Sequence, residues 1–146
     1  DPPAEPIQEG WGGFSPLVVE GRRIETGQPA IHPRTGMGTD ETGRRVWWVV
    51  VDGRQPGFSE GLALDELAEL MHSLGCWNAH NLDGGGSSIF LLQRMNAGLE
   101  TINSPADRAF NRVPVIRPLP VLLCIQPRTT GEPSVLDADV PGGSSN

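Results

Sequence analysis

Apolar residues recur at helical spacing in one segment of the chain. They would share one face of a helix: Leu64, Leu67, Ala68, Met71 and Leu74. Two acidic residues in the first predicted turn suit the positive end of the helix macrodipole, and Gly75 can supply a left-handed C-terminal cap. The spacing therefore predicts one main amphipathic helix over residues 64–74.

The other apolar runs are short and favour strands. Residues 14–19 and 23–25 flank a Glu-Gly pair, which predicts a hairpin. The run 45–51 is almost continuously apolar, so we expect both of its faces to be buried. Within it, Trp47 and Trp48 should point to opposite faces, with at least one in the core.

Further strands are predicted at 32–40, 77–82, 89–92 and 119–126. Glycine alternates with other residues in 32–40, which indicates close backbone neighbours. Residues 93–113 are expected to be irregular. Together these elements predict a small α+β domain.

Composition shows how the chain is divided. With 146 residues it fits one domain, which we place at 11–126. Residues 1–10 are rich in Pro and Glu and are predicted to be a linker or a processed N-terminus. Residues 127–146 have almost no apolar periodicity and are predicted to be a tail rich in Pro, Gly and Ser.

Charge and cysteine content exclude some classes of protein. The net charge is −7, which argues against a nucleic-acid partner, and no apolar run approaches the length of a membrane span. All 11 basic residues are Arg, whose planar fork suits phosphate and carboxylate. Cys76 and Cys124 could form one disulfide, but two buried free thiols are the favoured prediction.

The most informative motif is Asp83-Gly84-Gly85-Gly86-Ser87-Ser88. Three consecutive glycines allow several backbone amides to converge on one anion, beside a carboxylate that can move a proton or orient a sugar hydroxyl. The alternative is a plain glycine-rich turn. The loop lacks the lysine of a nucleotide-binding P-loop, and a strand rather than a helix is expected after it, unlike a dinucleotide-binding motif.

Two further motifs carry polar groups. Asp52-Gly53-Arg54 follows the most apolar strand, so its acid and guanidinium either face a substrate together or form an ordinary turn. Arg34 could present its fork to a phosphate or form a surface salt bridge. Gly57-Phe58-Ser59-Glu60-Gly61 matches a hydrolase nucleophile elbow in letters only, because loop residues separate it from the strand and no His follows the acid.

Four segments occur together and in order: 32–38, 49–61, 65–70 and 81–88. This combination, over roughly residues 12 to 126, resembles the phosphodiester glycosidase family. The resemblance implies an α+β fold with a mixed β-sheet, a secreted, periplasmic or cell-surface location, and a carbohydrate or sugar-phosphate ligand. It also implies hydrolysis of a sugar-1-phosphodiester, which releases the sugar and leaves a phosphomonoester.

The resemblance carries over to individual residues. Asp83 and Asp52 are the predicted catalytic acid and base. The predicted substrate and phosphate ligands are Arg34, Arg54, Asn81, Gly84, Gly85, Gly86, Ser87 and a late arginine, for which Arg117 is preferred over Arg112. No cofactor is implied, and a Ca²⁺ or Mg²⁺ ion at Asp83 or Asp52 stays open.

One departure from the family keeps a second function open. Its domain usually begins earlier, with an Asn-Gly-Gly-Phe-type segment that contributes to the site. We therefore expect an upstream segment or another chain to complete the domain. The alternative function is a non-catalytic glycan-binding or surface-structural module that retains the fold.

Overall fold

The computed structural model describes residues 12–95, 98–110 and 113–125. Its main sheet has five strands, in the spatial order β2-β1-β5-β3-β4. The strands are β1 (Ser15–Val19), β2 (Arg22–Arg23), β3 (Arg34–Thr39), β4 (Val46–Val51) and β5 (Asn78–Asn81). A separate hairpin is formed by β6 (Leu91–Arg94) and β7 (Gly98–Thr101), and the helix is α1 (Leu64–Ser73).

The α+β class with one main helix is confirmed. The sheet differs from the predicted mixed sheet in one respect, because every pairing between described strands is antiparallel. The hairpin of β1 and β2 is also confirmed. Glu20 and Gly21 both have positive φ, at 48° and 72°, which is the backbone that a two-residue turn needs to match the strand twist.

Helix α1 packs its apolar face on the sheet, as its periodicity predicts. Leu67, Ala68 and Met71 have no exposed surface and form the core with Leu17 and Val18 of β1. The C-terminal cap is confirmed as well, since Gly75 has a φ of +89° and its amide donates to His72.

The glycines of β3 let the helix and the following chain approach the sheet closely. A β-carbon on Gly36 would lie 3.3 Å from the Sδ of Met71, and one on Gly38 would lie 2.6 Å from the Sγ of Cys76. The close neighbours predicted from the glycine alternation are therefore present. Burial raises the pKa of the Cys76 thiol.

The prediction that residues 45–51 are buried on both faces is wrong. β4 is an edge strand, and none of its residues is fully buried. Trp47 packs against the core under α1, whereas Trp48 lines a groove on the other side with residues 122–125. The predicted split of the two tryptophans is thus confirmed, but only one face of β4 is covered by the helix.

Three other predictions need correction. The strand expected at 89–92 lies at Leu91–Arg94, and its partner β7 falls within the stretch expected to be irregular. Residues 119–125 form no strand, because Pro118 and Pro120 lack the amides that a ladder requires. Both cysteines are free thiols, and Cys124 is exposed rather than buried.

Several predictions concern residues outside the described ones, namely the linker at 1–10, the tail at 127–146 and Arg112. Among the residues that are described, no helix is long and apolar enough to cross a bilayer.

We expect Leu67→Ala to lower the free energy of unfolding by about 2–5 kcal/mol, because the side chain has no exposed surface and its loss leaves a cavity beneath α1. Urea denaturation followed by Trp fluorescence measures the change. Leu99→Ala is the control, since this residue of β7 is 66% exposed and should change the stability by less than about 0.5 kcal/mol. Equal losses in the two variants would contradict the assigned core.

Candidate active site

A cavity of about 340 Å³ opens where β5 ends, where β3 begins and beside the loop that follows β4. Most of the predicted site residues line it: Arg34, Arg54, Asn81, Asp83, Gly84, Gly85, Gly86 and Arg117. Two predicted residues, Asp52 and Ser87, do not line it.

The glycine loop continues into one turn of 3₁₀ helix, Gly85–Ser87, rather than directly into a strand. The amide of Gly85 donates to the Pro33 carbonyl at 2.9 Å, and the amide of Ser87 donates to the Gly84 carbonyl at 3.1 Å. A ring of three free amides is therefore not formed. Among the described residues, the amides of Gly84 and Gly86 have no hydrogen-bond partner and remain available to an anion.

The three glycines have a second use, which is to admit neighbouring groups. A β-carbon on Gly84 would lie 2.8 Å from the Pro33 carbonyl oxygen, and one on Gly85 would lie 3.1 Å from the Arg54 guanidinium. At Gly86 an added β-carbon would overlap the Arg117 guanidinium. The loop is therefore packed under two arginines.

Arg34 is oriented by backbone carbonyls instead of by an acid. Its Nε donates to the Leu62 carbonyl at 2.9 Å and its Nη2 donates to the Ala30 carbonyl at 2.6 Å. Burial and the nearby Arg54 lower the pKa of Arg34, although a guanidinium stays charged. The alternative of a surface salt bridge is not observed among the described residues, so its charge is not neutralised by a carboxylate there.

Arg54 and His32 form the side of the cavity next to Arg34. Arg54 has a φ of 57°, in the left-handed region, which costs about 1–2 kcal/mol for a residue with a side chain. Its Nη2 lies 3.3 Å from the Nδ1 of His32. Because a guanidinium only donates, Nδ1 must be the acceptor, and the neutral imidazole carries its proton on Nε2.

The pKa of His32 is lowered, first by burial and then by the positive charges of Arg54 and Arg34. Sequence reasoning did not include this residue among the site residues. The signal was its position directly before Pro33-Arg34, at the entrance of a strand that carries a predicted ligand.

Arg117 approaches the loop from the other side. It makes a two-pronged ion pair with Asp107, in which Nε–Oδ2 is 2.6 Å and Nη2–Oδ1 is 2.9 Å. The pair lowers the pKa of Asp107 and raises the pKa of Arg117, to which the charge of Asp83 also contributes. Asp107 was missed by sequence reasoning, because only the tertiary fold brings it opposite this arginine.

Two hydrogen-bond acceptors face the three arginines in the cavity. Asp83 is exposed, and no hydrogen bond occupies its carboxylate within the described structure. Asn81 is only 6% exposed, and its Oδ1 has no partner among the described residues. A buried acceptor without a donor is costly, so this oxygen is poised for a donor from a ligand.

Asp52 has a different role from the one predicted. Its carboxylate accepts hydrogen bonds from the amide of Ser104 at 3.0 Å and from the Nδ2 of Asn103 at 2.9 Å. Gln55 adds a contact, since its Nε2 donates to the Ser104 carbonyl at 2.8 Å. The acid therefore ties the segment 103–117 to the loop after β4, and that segment carries Asp107 and Arg117.

Phe14 also lines the cavity and was not predicted to do so. It is 72% exposed, immediately before β1, although exposed aromatic rings are unusual unless they contact a partner. Within the described residues, no group of three or more His, Cys, Asp or Glu side chains is arranged to hold a metal ion.

The fold and this site correspond to a known family of hydrolases. A family model for phosphodiester glycosidase matches residues 1–126, so the chain belongs to the phosphodiester glycosidase family. No curated protein sequence matches the chain significantly.

Two solved structures are similar to it. One is the zebrafish N-acetylglucosamine-1-phosphodiester α-N-acetylglucosaminidase catalytic domain, auto-inhibited by its pro-peptide, with 27% identity over 71% of this chain and a TM-score of 0.55. The other is a hypothetical protein from Synechocystis, with 28% identity over 53% of this chain and a TM-score of 0.46. The chain covers 38% and 16% of these two proteins, respectively.

We expect Asp52→Ala to release the segment 103–117, because the Ser104 amide and the Asn103 side chain lose their acceptor. The free energy of unfolding should fall by about 1–3 kcal/mol. Limited proteolysis should cut this segment faster than in the wild type. The control is Asp40→Ala, which removes a carboxylate that binds only its own turn. Wild-type cleavage rates in Asp52→Ala would rule out the anchoring role.

His32 should titrate below its ordinary pKa, and Arg54→Gln should raise that pKa by removing a positive charge. Because the folded-state pKa is lowered, the contribution of His32 to stability is complete above its ordinary pKa. It is lost as the pH falls through the lowered value. NMR of the His32 ring protons measures the midpoint. An identical midpoint in Arg54→Gln would show that the two side chains do not interact.

Proposed function

We propose that this chain hydrolyses sugar-1-phosphodiesters by cleaving the bond between the anomeric carbon and the phosphate oxygen. The observation that carries the proposal is the arrangement of Arg34, Arg54 and Arg117 around one cavity that also contains the free carboxylate of Asp83. Such a site presents donors to a phosphate and one acidic group to the sugar. Membership of the phosphodiester glycosidase family supports the same reaction class.

The phosphodiester would bind to the arginine side of the cavity. Three guanidiniums concentrate positive charge in a chain whose overall charge is −7, so attraction of an anion is local to this site. The unpartnered amides of Gly84 and Gly86 add donors beside Arg117. Fixed donors of this kind stabilise negative charge that develops on a leaving phosphate.

The sugar would bind to the acceptor side. The unpaired Oδ1 of Asn81 would accept a hydrogen bond from a hydroxyl or an amide of the sugar, which removes the cost of leaving that oxygen buried alone. The exposed ring of Phe14 would cover an apolar face of the sugar.

The chemistry proposed for Asp83 follows from the leaving group. Most glycosidases use two carboxylates, one of which protonates the departing oxygen. A phosphate is a weak base that the arginines already stabilise, so it can depart without a proton. Asp83 would then act alone, either as the base that activates water or as the nucleophile at the anomeric carbon. Departure of the phosphate takes the bonding electron pair, and water finally supplies the hydroxyl of the released sugar.

Asp83→Asn should lower kcat by about 100-fold or more while the thermal unfolding midpoint stays within error, because the carboxylate is exposed and makes no hydrogen bond in the described structure. Release of sugar from the methyl diester of α-glucose 1-phosphate or of its N-acetylglucosamine counterpart measures turnover. Glu41→Gln, in the turn at the far end of the β3–β4 hairpin, is the control and should behave as wild type.

Product analysis in ¹⁸O-labelled water tests which bond is cleaved. Label in the sugar supports the proposal, whereas label in the phosphate would indicate a phosphoryl-transfer hydrolase. Saturable binding without any release of product would support the glycan-binding module instead. The anomer formed first distinguishes water activation from nucleophilic attack by Asp83. Export from the cytoplasm stays a prediction.

A further inference from the structure

We propose that Asp107 is a positioning residue, which holds Arg117 over the glycine loop so that the guanidinium meets the phosphate in one orientation. This inference rests on the proposed function. It adds a residue that no sequence motif indicated and that does not itself line the cavity.

The geometry of the pair is specific. Both oxygens of Asp107 accept from Arg117, one from Nε at 2.6 Å and one from Nη2 at 2.9 Å. This fork leaves the other N–H groups of the guanidinium free for a ligand, and it sets the plane in which they point. Asp107 thus uses the edge of Arg117 that is not needed for the phosphate.

Packing makes the same orientation necessary. The Cα of Gly86 lies directly beneath the pair, and an added β-carbon would overlap both the Arg117 guanidinium and the Asp107 carboxylate. Arg117 therefore lies against the amide of Gly86, which has no partner among the described residues. The ion pair and the bare backbone together place two donors at the same end of the cavity.

Arg117 has few other restraints. Its side chain is 46% exposed, and the chain from 115 to 119 belongs to no helix or strand. Asp107 is better fixed, because its carbonyl accepts from the Val115 amide at 3.0 Å and its neighbour Arg108 is bonded to Gln55. The order of dependence therefore runs from the loop after β4, through Asp107, to Arg117.

The test is a double-mutant cycle on the full chain with the methyl diesters used above. Asp107→Asn should lower kcat/KM by about 10- to 100-fold, mainly through a higher KM, as expected when a ligand group is misplaced. Asp107→Glu should recover part of this loss, because it restores a carboxylate. In the Arg117→Gln background, Asp107→Asn should have no further effect. A full additional loss in that background would overturn the proposal.

A matched control comes from the other arginine-carboxylate pair of similar exposure. Glu100→Gln breaks the Arg94–Glu100 ion pair of 2.7 Å on the β6–β7 hairpin, away from the cavity. It should leave kcat/KM unchanged. A loss equal to that of Asp107→Asn would show that the effect is not specific to Arg117, and it would overturn the positioning role.

A second readout separates this inference from the proposed function. If the wild type releases no sugar, the proposed function fails, but positioning is still measured by NMR of the Arg117 Nε–H and by binding of inorganic phosphate. Asp107→Asn should speed hydrogen exchange at that Nε–H and weaken phosphate binding about 10-fold. Unchanged exchange and unchanged phosphate affinity would show that Asp107 does not position Arg117.

Discussion

The site depends on the close packing of side chains and backbone against three glycines. Pro33, Arg54 and Arg117 each occupy the space that a β-carbon would need at Gly84, Gly85 or Gly86. This packing joins the start of β3, the loop after β4 and the segment 103–117 at one place. Without it, two of the three arginines would lose the surface on which they lie, and the cavity would lose its positive side.

Gathering like charges has to be offset, and the structure does so differently for each group. Arg34 is held by backbone carbonyls, Arg117 is paired with Asp107, and Arg54 donates to a neutral imidazole. Only one of the three guanidiniums thus shares a carboxylate. The remaining positive charge is available to an anionic ligand, which is consistent with a family that acts on phosphodiesters.

Two aspartates that sequence reasoning treated alike have separate uses. Asp83 is exposed in the cavity and free to take part in chemistry, whereas Asp52 is committed to hydrogen bonds with residues 103 and 104. The second role is still connected to the site, because the segment that Asp52 anchors carries Asp107 and Arg117. A structural acid and a reactive acid can therefore follow equally regular motifs, and only their partners distinguish them.

Local sequence patterns determined the parts of this protein that depend on near neighbours in the chain. The periodicity of 64–74, the Glu-Gly turn and the glycine loop are read from adjacent residues, since helical faces and positive φ are local properties. The edge position of β4, the missing strand at 119–125 and the use of Asp52 were decided by tertiary structure. Each depends on which distant surface covers a strand or which distant donor meets a carboxylate, and burial and pairing across the chain leave no local pattern.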